Sequence, residues 1–312
     1  ADTIILSPGL ALSLSYVREA IDNGVDVIGD IELFARYADA PIVAITGSNG
    51  KTTVTSLLGK MAENAGLNVQ VGGNIGVPAL DLLTTHHTEQ KSTPVDYYLL
   101  ELSSFQLETT QALNANIVTV LNISPDHMDR YSGVDQYANA KYRIYQGARA
   151  VIVNKQELAR WGKQYLPSDQ SVSHPDCRII EYGIDEPAVN QFGIKSNGHE
   201  RCIYFGANNI LPLSKLKLLG SHNHQNVIAA LALGYEMGMA IESMLATIVD
   251  YAGLEHRTEW VACQNDVVWI NDSKGTNVGA TIAALYGLAG NKILIAGGVG
   301  KDADFSELCG AV

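Results

Sequence analysis

The residues best suited to chemistry lie in one stretch, Thr46-Gly47-Ser48-Asn49-Gly50-Lys51-Thr52-Thr53. An apolar run over 41–45 leads into it, and a helix-like stretch over 54–65 follows. Strand, glycine turn, Lys-Thr and helix is how proteins cradle polyphosphate. Backbone N–H groups of the turn face the phosphates, and the helix N-terminus adds partial positive charge. Lys51 would neutralise the β- and γ-phosphates, and the Thr52 hydroxyl would ligate Mg²⁺. The usual spacing places a glycine five residues before Gly50, where this chain has Ile45. An ordinary glycine turn is the competing reading.

Further candidates stand at the ends of apolar runs. Glu101 closes a strand over 97–100, a place from which a carboxylate reaches Mg²⁺ in phosphate-loop folds; a helix cap or surface acid would look the same. Asp126, His127, Asp129 and Arg130 crowd the end of a strand over 117–121, the edge where open α/β sheets bind ligands. The glycines of 72–76 would let a ligand approach the backbone. Asn223 and Asn226 precede an apolar helix over 227–237, as caps or as contacts to a base or ribose. Asp272 and Lys274 close a strand over 267–270. Lys301 ends a glycine-rich, anion-suited turn. From its residue type alone, Lys141 is a solvated helix lysine.

These residues need a scaffold of alternating strands and helices, which implies a parallel sheet. The N-terminal 1–30 reads as a buried-looking strand over 3–6, a helix over 13–23 and a strand over 25–29. A short helix over 80–83 precedes a polar loop over 84–94. The stretch 155–217 reads as a small antiparallel or mixed addition. A helix over 278–288 and a strand over 292–296 would begin a second βαβ unit. The 312 residues allow two or three domains, with 46% hydrophobic and 17% charged residues, ordinary for a globular protein. A net charge of −12 argues against broad nucleic-acid binding. Four cysteines without close spacing suit a reducing compartment. There is neither a long apolar run nor a visible signal peptide, so no membrane association is expected. A strand at the first residues and an uncapped helix at the last suggest a fragment trimmed at both ends.

Together the motifs resemble the Mur ligases, which build the peptide of bacterial cell-wall precursors. Besides 46–52, the resemblance rests on the stretches 100–108, 126–131, 256–259 and 271–277, and covers the whole chain, loosely over 155–217. The shorter phosphate loop, with Ile45, belongs to that family's pattern. The resemblance implies an α/β fold: a P-loop-type central parallel sheet (31–253) flanked by partial Rossmann-like α/β domains. These are an N-terminal UDP-substrate-binding remnant (1–30) and the start of a C-terminal domain (254–312). It implies an ATP-dependent ligase that joins D-glutamate to UDP-N-acetylmuramoyl-L-alanine through an acyl-phosphate, in a cytoplasmic, monomeric bacterial enzyme. ATP would be held by Gly47, Ser48, Asn49, Gly50, Lys51, Thr52, Thr53, Asn223, Asn226, Arg257, Asp272, Lys274 and Thr276. Thr52 would hold one Mg²⁺, and Glu101 and His127 a second. Lys141 would carry a CO₂-derived carbamate and join that second site, making Lys51, His127 and Lys141 the catalytic set. Asn74, Ser103 and His127 would meet the muramoyl-alanine part. Lys301, with Thr276, would arrive on domain closure. The alternatives are another amide ligase on the same scaffold, such as a different Mur ligase or a folylpolyglutamate synthetase, and a nucleotide-binding protein without turnover.

Overall fold

The computed structural model describes residues 2–88, 94–166, 177–218, 220–288, 290–300 and 303–312. The chain begins with β1 (Thr3–Ile5), α1 (Ser15–Asp22), β2 (Asp26–Ile28) and α2 (Asp30–Tyr37). Next come β3 (Ile42–Thr46), α3 (Lys51–Asn64), β4 (Val69–Gly73), α4 (Ala79–Thr88), β5 (Tyr97–Glu101), α5 (Ser104–Glu108), β6 (Ile117–Val120) and α6 (Val134–Tyr142). Then follow β7 (Ala150–Asn154), α7 (Lys155–Trp161), β8 (Arg178–Tyr182), β9 (Phe192–Asn197), β10 (Glu200–Phe205), β11 (Asn208–Pro212), α8 (Ser221–Glu236) and α9 (Ile241–Asp250). The chain closes with β12 (Glu259–Gln264), β13 (Val267–Asn271) and α10 (Val278–Gly287).

Nine strands form one sheet in the order β11-β10-β9-β8-β7-β6-β3-β5-β4. Pairing is parallel from β4 across to β9 and antiparallel for β9–β10 and β10–β11. β3 reads Ile-Val-Ala-Ile-Thr and is buried at every position, as expected of a strand covered on both faces. One core packs α3, α8 and α9 on one face of the sheet. The other core brings α2, α4, α5 and α6 to the opposite face. The chain leaves β3 toward β4 on one side and returns through β5 to β6 on the other. The crevice between the C-terminal ends of β3 and β6 is thus a topological switch point, where open α/β sheets bind ligands.

Several details differ from the sequence expectations. The mixed addition expected over 155–217 is joined to the central sheet itself, through β8 to β11. Its alternating polar text reflects strands nearer an edge, half of whose side chains meet solvent. β1 pairs only with β2, and its burial is slight, with Ile5 51% exposed. The polar stretch expected as a loop over 84–94 is helical as far as Thr88. β12, which the sequence did not signal, forms a hairpin with β13. Residues 292–296 form no strand; no described strand lies beside them to complete a ladder, and Ile293 is 91% exposed.

Candidate functional site

The phosphate loop is shaped by a left-handed glycine. Gly50 sits at φ +84 as the N-cap of α3, and a Cβ there would lie 2.3 Å from Asn226 Oδ1. No side chain caps this helix, so its first-turn N–H groups remain available to an anion. Not every loop N–H is available. Ser48 N donates to the Asn122 carbonyl (2.9 Å) and Asn49 N to Asn122 Oδ1 (2.8 Å), while Asn122 Nδ2 donates back to Asn49 O (2.9 Å). Lys51 Nζ folds onto the loop, donating to Gly47 O (2.8 Å) and Ser48 O (3.0 Å). Burial pushes its pKa down, as does Arg257, while Glu101 and Asp126 oppose the shift. Ser48 Oγ faces the β6 loop, bonding Ser124 O and Tyr137 OH. Thr53 is buried on the first turn of α3.

Beside this loop, Glu101 is 3% exposed at the end of β5. Its Oε1 accepts from Asn74 Nδ2 at 3.0 Å, and its Oε2 is buried with no hydrogen-bond partner among the described residues. A buried carboxylate oxygen without a protein partner fits a metal ligand or a bound water. His127 lies across the crevice at φ +56, with Nε2 3.7 Å from Asp126 Oδ2 and its ring edge-on to Phe105 at 4.8 Å. Ser103 is the N-cap of α5, and its hydroxyl closes a capping box with Gln106.

Lys141, expected from residue type to be solvated, is 1% exposed on α6. Its Nζ is 3.4 Å from Thr46 Oγ1 and 4.7 Å from the centre of the Tyr137 ring. Burial holds its pKa well below that of an ordinary lysine; Lys51 pushes the same way, with Asp126 and Glu101 opposing. Among the described residues it forms no ion pair. The sequence signal was thin: Lys141 falls on one stripe of α6 with Val134, Tyr137 and Ala138, a spacing that hints at an inward position but not at any chemistry.

A cleft adjoins the loop, lined by Asn49, Gly50, Asn223, Asn226, Arg257 and Asp272 together with Thr53 and Lys274. Asn223 and Asn226 do not precede α8; they lie buried in its first two turns, joined by Asn226 Nδ2→Asn223 Oδ1 (3.2 Å). Arg257 Nη2 donates to Thr52 Oγ1 at 2.8 Å, joining the C-terminal segment to the phosphate loop. His256 (φ +65) and Thr258 (φ +47) flank Arg257 in left-handed conformations. Asp272 Oδ1 accepts from Thr258 N at 2.8 Å. Thr276 is exposed and outside the cleft lining; Lys301 lies outside the described residues.

Two residues that the sequence reading passed over also organise the crevice. Asn122 clamps the loop as described. Asn277 caps α10 through Ala280 N (2.8 Å) while its Nδ2 reaches Asn49 Oδ1 (3.1 Å) and Asp126 Oδ2 (3.3 Å). Their positions were available as signals: Asn122 follows a strand at the binding edge, and Asn277 opens a helix.

A family profile, the Mur ligase middle domain, matches residues 45–234, spanning β3 to α8 and so most of the crevice. The chain belongs to the Mur ligase family. Among curated relatives, the UDP-N-acetylmuramoylalanine–D-glutamate ligase of Pseudomonas syringae pv. tomato is 48% identical over 312 residues, covering 99% of this chain and 66% of that protein. The enzyme of that name from Nitrosococcus oceani is 48% identical over 310 residues, covering 99% and 65%. The chain thus spans about two thirds of the length of these relatives. Among solved structures, MurF from Acinetobacter baumannii superposes with a TM-score of 0.62 at 20% identity, over 82% of this chain and 55% of that one. A UDP-N-acetylmuramoyl-L-alanyl-D-glutamate–2,6-diaminopimelate ligase gives 0.63 at 20% identity, over 91% and 66%. At that identity the likeness is one of fold, and it places the mostly parallel central sheet of this Mur ligase among those of its family.

Proposed function

We propose that the protein is the ATP-dependent ligase that joins D-glutamate to UDP-N-acetylmuramoyl-L-alanine in peptidoglycan precursor synthesis, in the bacterial cytoplasm. The observation that carries the geometric side of this reading is the convergence at one crevice of the phosphate loop, Glu101 with an unpartnered buried oxygen, and the buried Lys141. The acceptor identity is supported by the names of the relatives.

In the first step, a carboxylate oxygen of the UDP-substrate attacks the γ-phosphorus, the bond to the β-phosphate oxygen breaks, and ADP leaves. Such a transfer needs in-line placement and neutralised charge. Lys51 leaves its carbonyl partners for the phosphates. The free N–H groups of α3 hold phosphate oxygens. Asn223, Asn226, Arg257, Asp272 and Lys274 orient the nucleoside and its phosphates. In the second step, the amine of D-glutamate attacks the acyl-phosphate carbon, phosphate departs, and the nitrogen loses a proton. Mg²⁺, when bound, supplies charge neutralisation for the transferring phosphoryl group. Thr52 would hold one ion. Glu101 and His127 would hold a second, together with Lys141 once its neutral amine has added CO₂ to become a carbamate. Carbamylation joins the amine nitrogen to the CO₂ carbon with loss of one proton from the nitrogen, giving an anion with two oxygen donors, which suits Mg²⁺ better than an amine does. Lys301 and Thr276 would complete the acceptor side on closure of the 254–312 domain against the 31–253 domain.

The test is phosphate release by the full-length protein with ATP, Mg²⁺, UDP-N-acetylmuramoyl-L-alanine and D-glutamate. Release should require all four. ATP binding without release in the complete mixture would instead indicate a nucleotide-binding protein without turnover.

A further inference from the structure

We infer that Asn74 is a positioning residue for the metal ligand Glu101, fixing which carboxylate oxygen is presented; this rests on the metal-binding role proposed above. The glycine loop after β4 had suggested room for a ligand, and the structure fills that room with protein. Gly73 sits at φ +100, and a Cβ there would lie 2.4 Å from the Glu101 carbonyl oxygen; one at Gly72 would meet Val77 O at 2.3 Å. Gly73 therefore brings the β4 backbone hard against the end of β5, and Gly72 brings it against the loop that follows. This approach lets Asn74 hold Glu101 twice: Asn74 N donates to Glu101 O at 2.8 Å, and Asn74 Nδ2 donates to Oε1 at 3.0 Å. The side-chain bond satisfies Oε1 and stops rotation of the carboxylate. Oε2 is left buried with no hydrogen-bond partner among the described residues, so Glu101 offers one oxygen, already desolvated and oriented. Hydrogen bonds to a ligating carboxylate commonly set metal affinity by about 10–100-fold.

The experiment is Mn²⁺ binding, as a stand-in for Mg²⁺, read by electron paramagnetic resonance on the full-length protein with ATP and UDP-N-acetylmuramoyl-L-alanine. It compares wild type, Glu101→Gln, Asn74→Ala and Asn74→Gln, with thermal melting as the folding check. Glu101→Gln should remove one Mn²⁺ site. Asn74→Ala should keep that site but weaken it by about tenfold. Asn74→Gln, which keeps the amide donor on a longer arm, should recover part of the loss. If Glu101→Gln removes a site that Asn74→Ala leaves untouched, or if Asn74→Ala weakens only the UDP-substrate, the positioning role is overturned. If Glu101→Gln removes no site, both this role and the metal reading fall.

Discussion

Burying an ammonium without a carboxylate partner costs several kcal/mol, and Lys141 sits in that position at 1% exposure. Its pKa is depressed, first by burial and then by Lys51, which favours the neutral amine, the form that adds CO₂. The sign follows from linkage. With the folded pKa below the unfolded one, the unfolded chain binds the extra proton between the two values, so stability rises with pH across that window and the penalty is fully present below it. Lys141→Met, measured in CO₂-free buffer, should therefore melt higher than wild type at neutral pH, with the advantage shrinking as pH approaches the ordinary lysine value. Lys141→Ala should be inactive and partly rescued by a short carboxylic acid; normal activity in that variant would exclude the carbamate. Lys51→Ala should cut phosphate release by at least about 10²-fold, a usual cost of removing a group that stabilises transition-state charge, while leaving the melting temperature nearly unchanged. At this scale the phosphate loop was legible because glycine, lysine and threonine sit at fixed spacing. Lys141 was legible only through family likeness, since a buried lysine and a solvated one have the same letter.

The elements explain how these residues meet. β3, β5 and β6 end at the same edge, and the tight turns after them decide which backbone groups remain available. The order of strands and helices was readable from apolar runs and glycine punctuation. The merging of 155–217 into the central sheet was not, because edge strands carry mixed polarity and their partners are set by tertiary packing. The absent strand over 292–296 is the converse case: Ile-Leu-Ile has high strand propensity, but a strand without a neighbour has no ladder. Gly73→Ala tests the β4–β5 contact. Both the positive φ and the 2.4 Å approach to Glu101 O oppose a methyl group, so it should destabilise the fold by about 1–3 kcal/mol. Denaturant titration reads this as a lower midpoint at unchanged slope.

Across the whole molecule, Arg257 and Asn277 tie the C-terminal segment to the nucleotide loop, through Thr52 and Asn49. Arg257 stands between two left-handed residues, the kind of position that stores strain where segments move. Once ATP is bound, Arg257 would exchange its bond to Thr52 for one to the nucleotide. Loss of that contact in Arg257→Ala should raise the KM for ATP by about tenfold, one charged hydrogen bond being worth about 1.5–3 kcal/mol, with a smaller change in the KM for D-glutamate. Four free cysteines, the acidic surface and the described helices, none of which is long and apolar enough to cross a membrane, are compatible with this account. The central claim concerns the acceptor, which no single residue in the chain declares. The most direct measurement is phosphate release by the full-length protein with ATP and UDP-N-acetylmuramoyl-L-alanine across a panel of D-glutamate, L-alanine, meso-diaminopimelate and a folate. The account predicts release with D-glutamate alone; release with another member of the panel and not with D-glutamate would contradict it.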